Sequence, residues 1–140
     1  MAVVFEDYYG HKLPQGTGGA ALTAGAVSTS AVGTIAGTTA AGAAPTVTAV
    51  SANDSLGNFT LTPVTGGGAQ AAGEVAVVTF AQPYSAVPKA ISVSVFDQAG
   101  GAGSVIAATE SSVTVNGFKV NVNAALTTAH LYTVRYVVHP

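Results

Sequence analysis

The residues able to do chemistry are few: six carboxylates, three histidines, four Lys or Arg and five tyrosines in 140 residues, with no cysteine. The missing thiol removes disulfides, thiolate metal sites and cysteine nucleophiles. General acid/base chemistry needs two groups converging on one bond. Of Glu6, Asp7, Asp54, Glu74, Asp97 and Glu110, only the first two are close in sequence, and adjacent residues of an extended chain point to opposite faces. All six read as solvated surface charge. His11, His130 and His139 lack the i, i+2 or i, i+4 spacing of a local metal site and read as hydrogen-bonding residues. No Gly-x-Ser-x-Gly elbow occurs. The residues therefore point away from an enzyme, and no cofactor or metal is expected.

Gly16-Thr17-Gly18-Gly19-Ala20-Ala21 has the form of a dinucleotide fingerprint, which works only between a strand and a helix N-terminus. Here HKLPQ precedes it and more Gly-rich sequence follows, so it reads as a product of biased composition. Asn53 (NDS) and Asn58 (NFT) fit the glycosylation pattern only in a chain secreted by a eukaryote. Tyr84, in QPYSAVP, has two readings: a sugar-stacking residue of a receptor-contact loop, or an aromatic packed over the end of the folded domain. Val3, Val4, Phe5, Tyr8 and Tyr9 form the most hydrophobic part of the head, AVVFEDYY. With no core of their own they must pack back on the domain or dock on another protein, and the long spacer behind them favours docking.

Only 7% of residues are charged, with a net charge of −2, against about 25% charged in ordinary soluble domains. Such a chain has no basic field for a phosphate backbone, so nucleic acid is not expected as a partner. No charge occurs between Leu13 and Asn53. Yet Leu22, Val27, Val32 and Ile35 are scattered among Gly, Thr and Ser, whereas a spanning helix needs about 20 predominantly apolar residues. A membrane span is not expected. Glu6 and Asp7 stand where a signal peptide would be basic, so synthesis in a cytoplasm is expected.

Three zones position these residues. Residues 1–15 form a head segment, residues 16–45 an uncharged Gly/Ala/Thr-rich arm, and residues 46–140 a strand-rich domain. In the last, NFTLTPV (58–64), EVAVVTF (74–80), AISVSVF (90–96) and LYTVRYVVH (131–139) read as strands separated by Gly- and Pro-rich turns. Pro63 suggests an edge or a bulge. In LYTVRYVVH, Tyr132, Val134, Tyr136 and Val138 share one face. SSVTVNGFKVNVN predicts a hairpin whose two-residue turn is Asn116-Gly117, with Val115 facing Phe118 and Val113 facing Val120. No helical period is sustained. The expected fold is all-β: an antiparallel β-sandwich, jelly-roll or Ig-like Greek key, preceded by an extended N-terminal arm.

From about Asn53 onward, the order of NDSLGNFTLTPVTGGGAQAAGEVAVVTFAQPYSAVPKAISV, SSVTVNGFKVNVNAAL and TTAHLYTVRYVV resembles a small β-sandwich module of fibre and head-decorating proteins of tailed bacteriophages. The resemblance covers about two-thirds of the chain and rests on the order of generic strand motifs. It implies a non-enzymatic virion component, a homotrimer, attached to a capsid or tail by its N-terminal part, and it carries over no catalytic residues. On this expectation the head, through Val3, Val4, Phe5, Tyr8 and Tyr9, anchors the protein to the major capsid protein on the capsid exterior. The alternative is a tail-fibre or receptor-binding tip in which Tyr84 contacts host-surface glycan. The Gly/Ala/Thr segment lies outside the resemblance. Its composition buries too little to offset ordering entropy, so a neighbouring surface is expected to hold it.

Overall fold

The computed structural model describes residues 32–64, 71–99 and 104–140. Val3, Val4, Phe5, Tyr8 and Tyr9 lie outside them. Nine strands follow in chain order: β1 (Thr34–Gly37), β2 (Thr46–Ala52), β3 (Leu56–Thr62), β4 (Gly73–Thr79), β5 (Ala90–Asp97), β6 (Ser104–Ile106), β7 (Ala108–Thr114), β8 (Gly117–Val122) and β9 (Tyr132–His139). A single 3-10 turn, Thr39–Ala41, is the only helical element among the described residues. Period-two alternation of Val, Phe and Tyr with Thr, Ser and Asn makes these segments strands: alternate side chains can be buried while their neighbours stay wet.

The strands form two antiparallel sheets, ordered β1-β4-β8-β7 and β2-β3-β9-β5-β6. Three pairings are nested along the chain. β3 pairs with β9, β4 with β8, and β5 with β6, so the chain runs out and back like one long hairpin folded across two sheets. Closing the outermost pair, β3 with β9, brings together segments about half a chain apart.

One core fills the space between the sheets. Phe59 and Leu61 of β3 and Tyr132, Val134 and Tyr136 of β9 meet Val78 of β4 and Phe118 and Val120 of β8. The ring of Phe118 packs edge-on to Tyr136 with centroids 5.3 Å apart, joining the two layers. Full burial of each such side chain contributes about 1.5–3 kcal/mol. The Tyr136 ring lies over Gly57, where an added Cβ would sit 2.2 Å from a ring carbon. Only glycine admits that approach.

The β7–β8 hairpin differs from its expected register. The turn residues are Val115 and Asn116, Thr114 pairs with Gly117, and Ser111 pairs with Lys119. Two causes combine. Ser112 has φ 50°, and the ladder is irregular between Ser111 and Thr114; this bulge returns Val113 to the core side, where it packs against the buried cluster. Gly117 is required for close approach to β4, because a Cβ there would lie 2.1 Å from the Val78 carbonyl oxygen.

Residues 32–45, assigned from sequence to the arm, include β1, which pairs with β4 and turns Ile35 toward the core. Its small residues suit a short edge strand. Pro63 follows the last residue of β3, an interior strand, and the bulge of that sheet falls instead in β2, between Ala49 and Ser51.

Candidate interaction surfaces

Strand directions give the molecule two distinct ends. The described chain enters at Val32, whose N–H donates to the Ala52 carbonyl. At this entry end lie the β2–β3 turn, the β4–β5 loop, the β7–β8 turn and the last residues of β9. The opposite, distal end carries the β1–β2, β3–β4, β5–β6 and β8–β9 connections.

The entry end is built on the sequence Asn53-Asp54-Ser55. The side-chain oxygen of Asn53 accepts from the N–H groups of Ser55 and Leu56 at 2.8 and 2.9 Å, a local turn characteristic of Asn. The buried Asp54 carboxylate accepts from the N–H groups of Ala81 and Gln82 at 2.7 and 2.9 Å. Burying a carboxylate is costly unless hydrogen bonds replace its hydration, and these charge-assisted bonds do so. Asp54 is therefore an internal fastener, not the solvated charge expected from sequence. Asn and Asp in tandem before a strand is a turn signal that could have located it.

Tyr84 is 5% exposed. Its hydroxyl donates to the Asp54 carbonyl at 2.9 Å, its N–H donates to the Val115 carbonyl, and its ring meets Phe80 edge-on at 4.9 Å. Of the two sequence readings, this position is the aromatic packed over the domain end; the faces a sugar would stack on are covered. Tyr136 donates its hydroxyl to the Asn53 carbonyl at 2.6 Å. Burial, and then the negative charges of Asp54 and of an ionised Tyr84, push the Tyr136 phenol well above its ordinary range. The Tyr84 phenol is raised as well, mainly by burial.

Polar clusters lie toward the distal end. Glu74 accepts from Lys119 at 2.7 Å and from the hydroxyls of Ser111 and Ser112, and the Lys119 hydrogen bond is the main cause of its lowered pKa. The His130 ring nitrogen Nδ1 lies 2.9 Å from an Asp97 carboxylate oxygen. Burial alone would raise the Asp97 pKa, but hydrogen bonds from His130 and the Ala99 N–H outweigh it and hold the group low. At the entry end, His139 Nε2 stands 3.3 Å from the Ser92 hydroxyl. Among the described residues no three metal-ligating side chains gather, and no helix is long and apolar enough to cross a membrane.

The large apolar side chains left exposed among the described residues are Val50, Leu56, Val87, Val105, Leu131 and Val137. Arg135, midway along β9, lies over the Phe96 ring, 5.2 Å from its centroid. These surfaces offer apolar contact area and few charges. Comparison with protein-family models, curated proteins and solved structures found no match.

Proposed function

We propose that this chain is a non-enzymatic structural protein of a tailed-bacteriophage virion, a capsid decoration or head-fibre protein on the capsid exterior. Its N-terminal arm attaches to the major capsid protein, with Val3, Val4, Phe5, Tyr8 and Tyr9 as the anchoring side chains, and the two-sheet body projects as a homotrimer. The carrying observation is the charge-poor two-sheet body entered at one end by a small-residue segment with an apolar head. The nested strand pairs support a jelly-roll over an Ig-like key, because a jelly roll is a long hairpin folded over itself. The 31 residues before Val32, if extended, would reach on the order of 100 Å, enough to cross a capsid subunit.

With so few charges, attachment should rest on apolar and backbone contacts and depend weakly on salt. The test is deletion of residues 1–12. The truncated protein is expected to keep a cooperative unfolding transition and to lose virion incorporation. Full occupancy of the truncated protein on capsids would overturn the anchor.

A further inference from the structure

Among the described residues, four of the six large exposed apolar side chains lie toward the entry end: Val87 at 54% exposure in the β4–β5 loop, Leu56 at 53% beginning β3, Val137 at 45% paired with Leu56, and Val50 at 61% in the bulge of β2. The acids of the described residues divide the other way. Glu74 begins β4, Asp97 ends β5 and Glu110 pairs with Val120 in the upper half of β8, all toward the distal end. Asp54, the acid at the entry end, is buried and bonded. Lys89, whose N–H donates to the His139 carbonyl, brings a positive charge to that end.

The loop presenting Val87 is held in one shape. Phe80 donates its N–H to Asn116, Ala81 and Gln82 to the Asp54 carboxylate, Tyr84 to Val115, and Lys89 to His139. A rim already held in its bound shape loses little conformational freedom on docking. The geometry points to the entry end as a second docking surface, in which Val50, Leu56, Val87 and Val137, with Lys89 in the same loop as Val87, seat the body against an apolar protein surface. That surface is the one that holds the arm. One observation selects this occupant: the described chain begins at this end, at Val32, with 31 residues before it, so an attachment made through those residues draws this end toward the surface that holds them. The inference rests on the reading that the N-terminal part attaches to another protein, and it orients the molecule. Val87 faces the attachment, while Val105, Leu131 and the Asp97–His130 pair face outward.

The test is site-specific photocrosslinking in assembled particles, with the full-length chain carrying a photoreactive phenylalanine at position 87 or at position 131, and adducts identified by mass spectrometry. An adduct with the major capsid protein from position 87 and none from position 131 is expected. An adduct from position 87 with a different virion protein keeps the docking surface and overturns the capsid assignment. Self-adducts alone, equal adducts from both positions, or no adduct from position 87 overturn the inference. In a second arm, full-length Val87→Asp and Lys89→Glu proteins, checked for unchanged thermal unfolding, are each expected to load at least about fivefold less at subsaturating input. Leu131→Asp is expected to remain within about twofold of the parent. Equal loading of all three would overturn the surface.

Discussion

Tyr84 donates its hydroxyl to the main-chain carbonyl of Asp54, and the carboxylate of the same Asp54 holds the N–H groups of Ala81 and Gln82 in the loop that carries Tyr84. The two residues lock each other across 30 positions of sequence. The loop positions the ring, and the ring's hydroxyl in turn fixes the main chain at Asp54.

Replacing Asp54 should therefore be expensive. Charge-assisted hydrogen bonds contribute about 1.5–3 kcal/mol each, so Asp54→Ala is expected to lower unfolding free energy by roughly 3–5 kcal/mol in urea titration. Asp54→Asn, which retains one acceptor, should lose about half as much. Equal stability of Asp54→Ala and the parent would contradict the fastener.

Tyr84→Phe removes one neutral hydrogen bond and should cost about 1 kcal/mol, whereas Tyr84→Ala also empties a packed site and should cost about 3–5 kcal/mol. Loss of host adsorption in Tyr84→Ala particles would therefore report damage to the fold. Adsorption lost in the Phe variant, with its melting temperature lowered only slightly, would instead implicate the hydroxyl in binding.

Alkaline pH should weaken the fold through Tyr136. Its folded pKa is raised, so the native state holds the proton more tightly than the unfolded chain. That contribution is complete below the unfolded value near 10 and is lost as pH rises beyond it. Tyr84, also raised, adds in the same direction. Melting temperatures measured from pH 8 to 11 should fall above about pH 10, and less steeply in Tyr136→Phe.

At the acid end the sign reverses. Glu74 and Asp97 have lowered folded pKa values, so their contribution is present above the ordinary carboxylate range and disappears as pH falls through the folded values. Both side chains are near the surface, where ion pairs contribute little. His130→Gln should therefore change the acid limb of a stability–pH curve slightly, leaving neutral stability within about 1 kcal/mol of the parent.

Ala129 has φ 62° in the β8–β9 connection, held there while its N–H donates to the Pro63 carbonyl. A left-handed residue with a Cβ costs roughly 1–2 kcal/mol, and glycine's extra chain entropy returns part of that. Ala129→Gly is expected to stabilise by about 0.5–1 kcal/mol, balancing those two effects. A lower melting temperature in the variant would show that the turn is not strained.

Much of the architecture is legible in local pattern. Alternation assigned Tyr132, Val134, Tyr136 and Val138 to one face, and all four are buried. Phe118, Val120 and Val122 behaved alike. Edge strands were harder. Apart from Ile35, β1 and β2 are made of Thr, Ala, Gly, Ser and Val with only partial burial, so no strong alternation marks them, and each pairs with a more buried neighbour, β4 or β3.

By itself the sequence determined strand content, the inward faces of β8 and β9 and the scarcity of charge, because these follow from a period of two residues and from composition. Tertiary structure decided what no local window contains: the slip of the β7–β8 hairpin, the burial of Asp54, the covering of Tyr84, and the gathering of Val50, Leu56, Val87 and Val137 at the end where the chain enters. Each depends on contacts between segments tens of residues apart, formed only when two sheets close over one core.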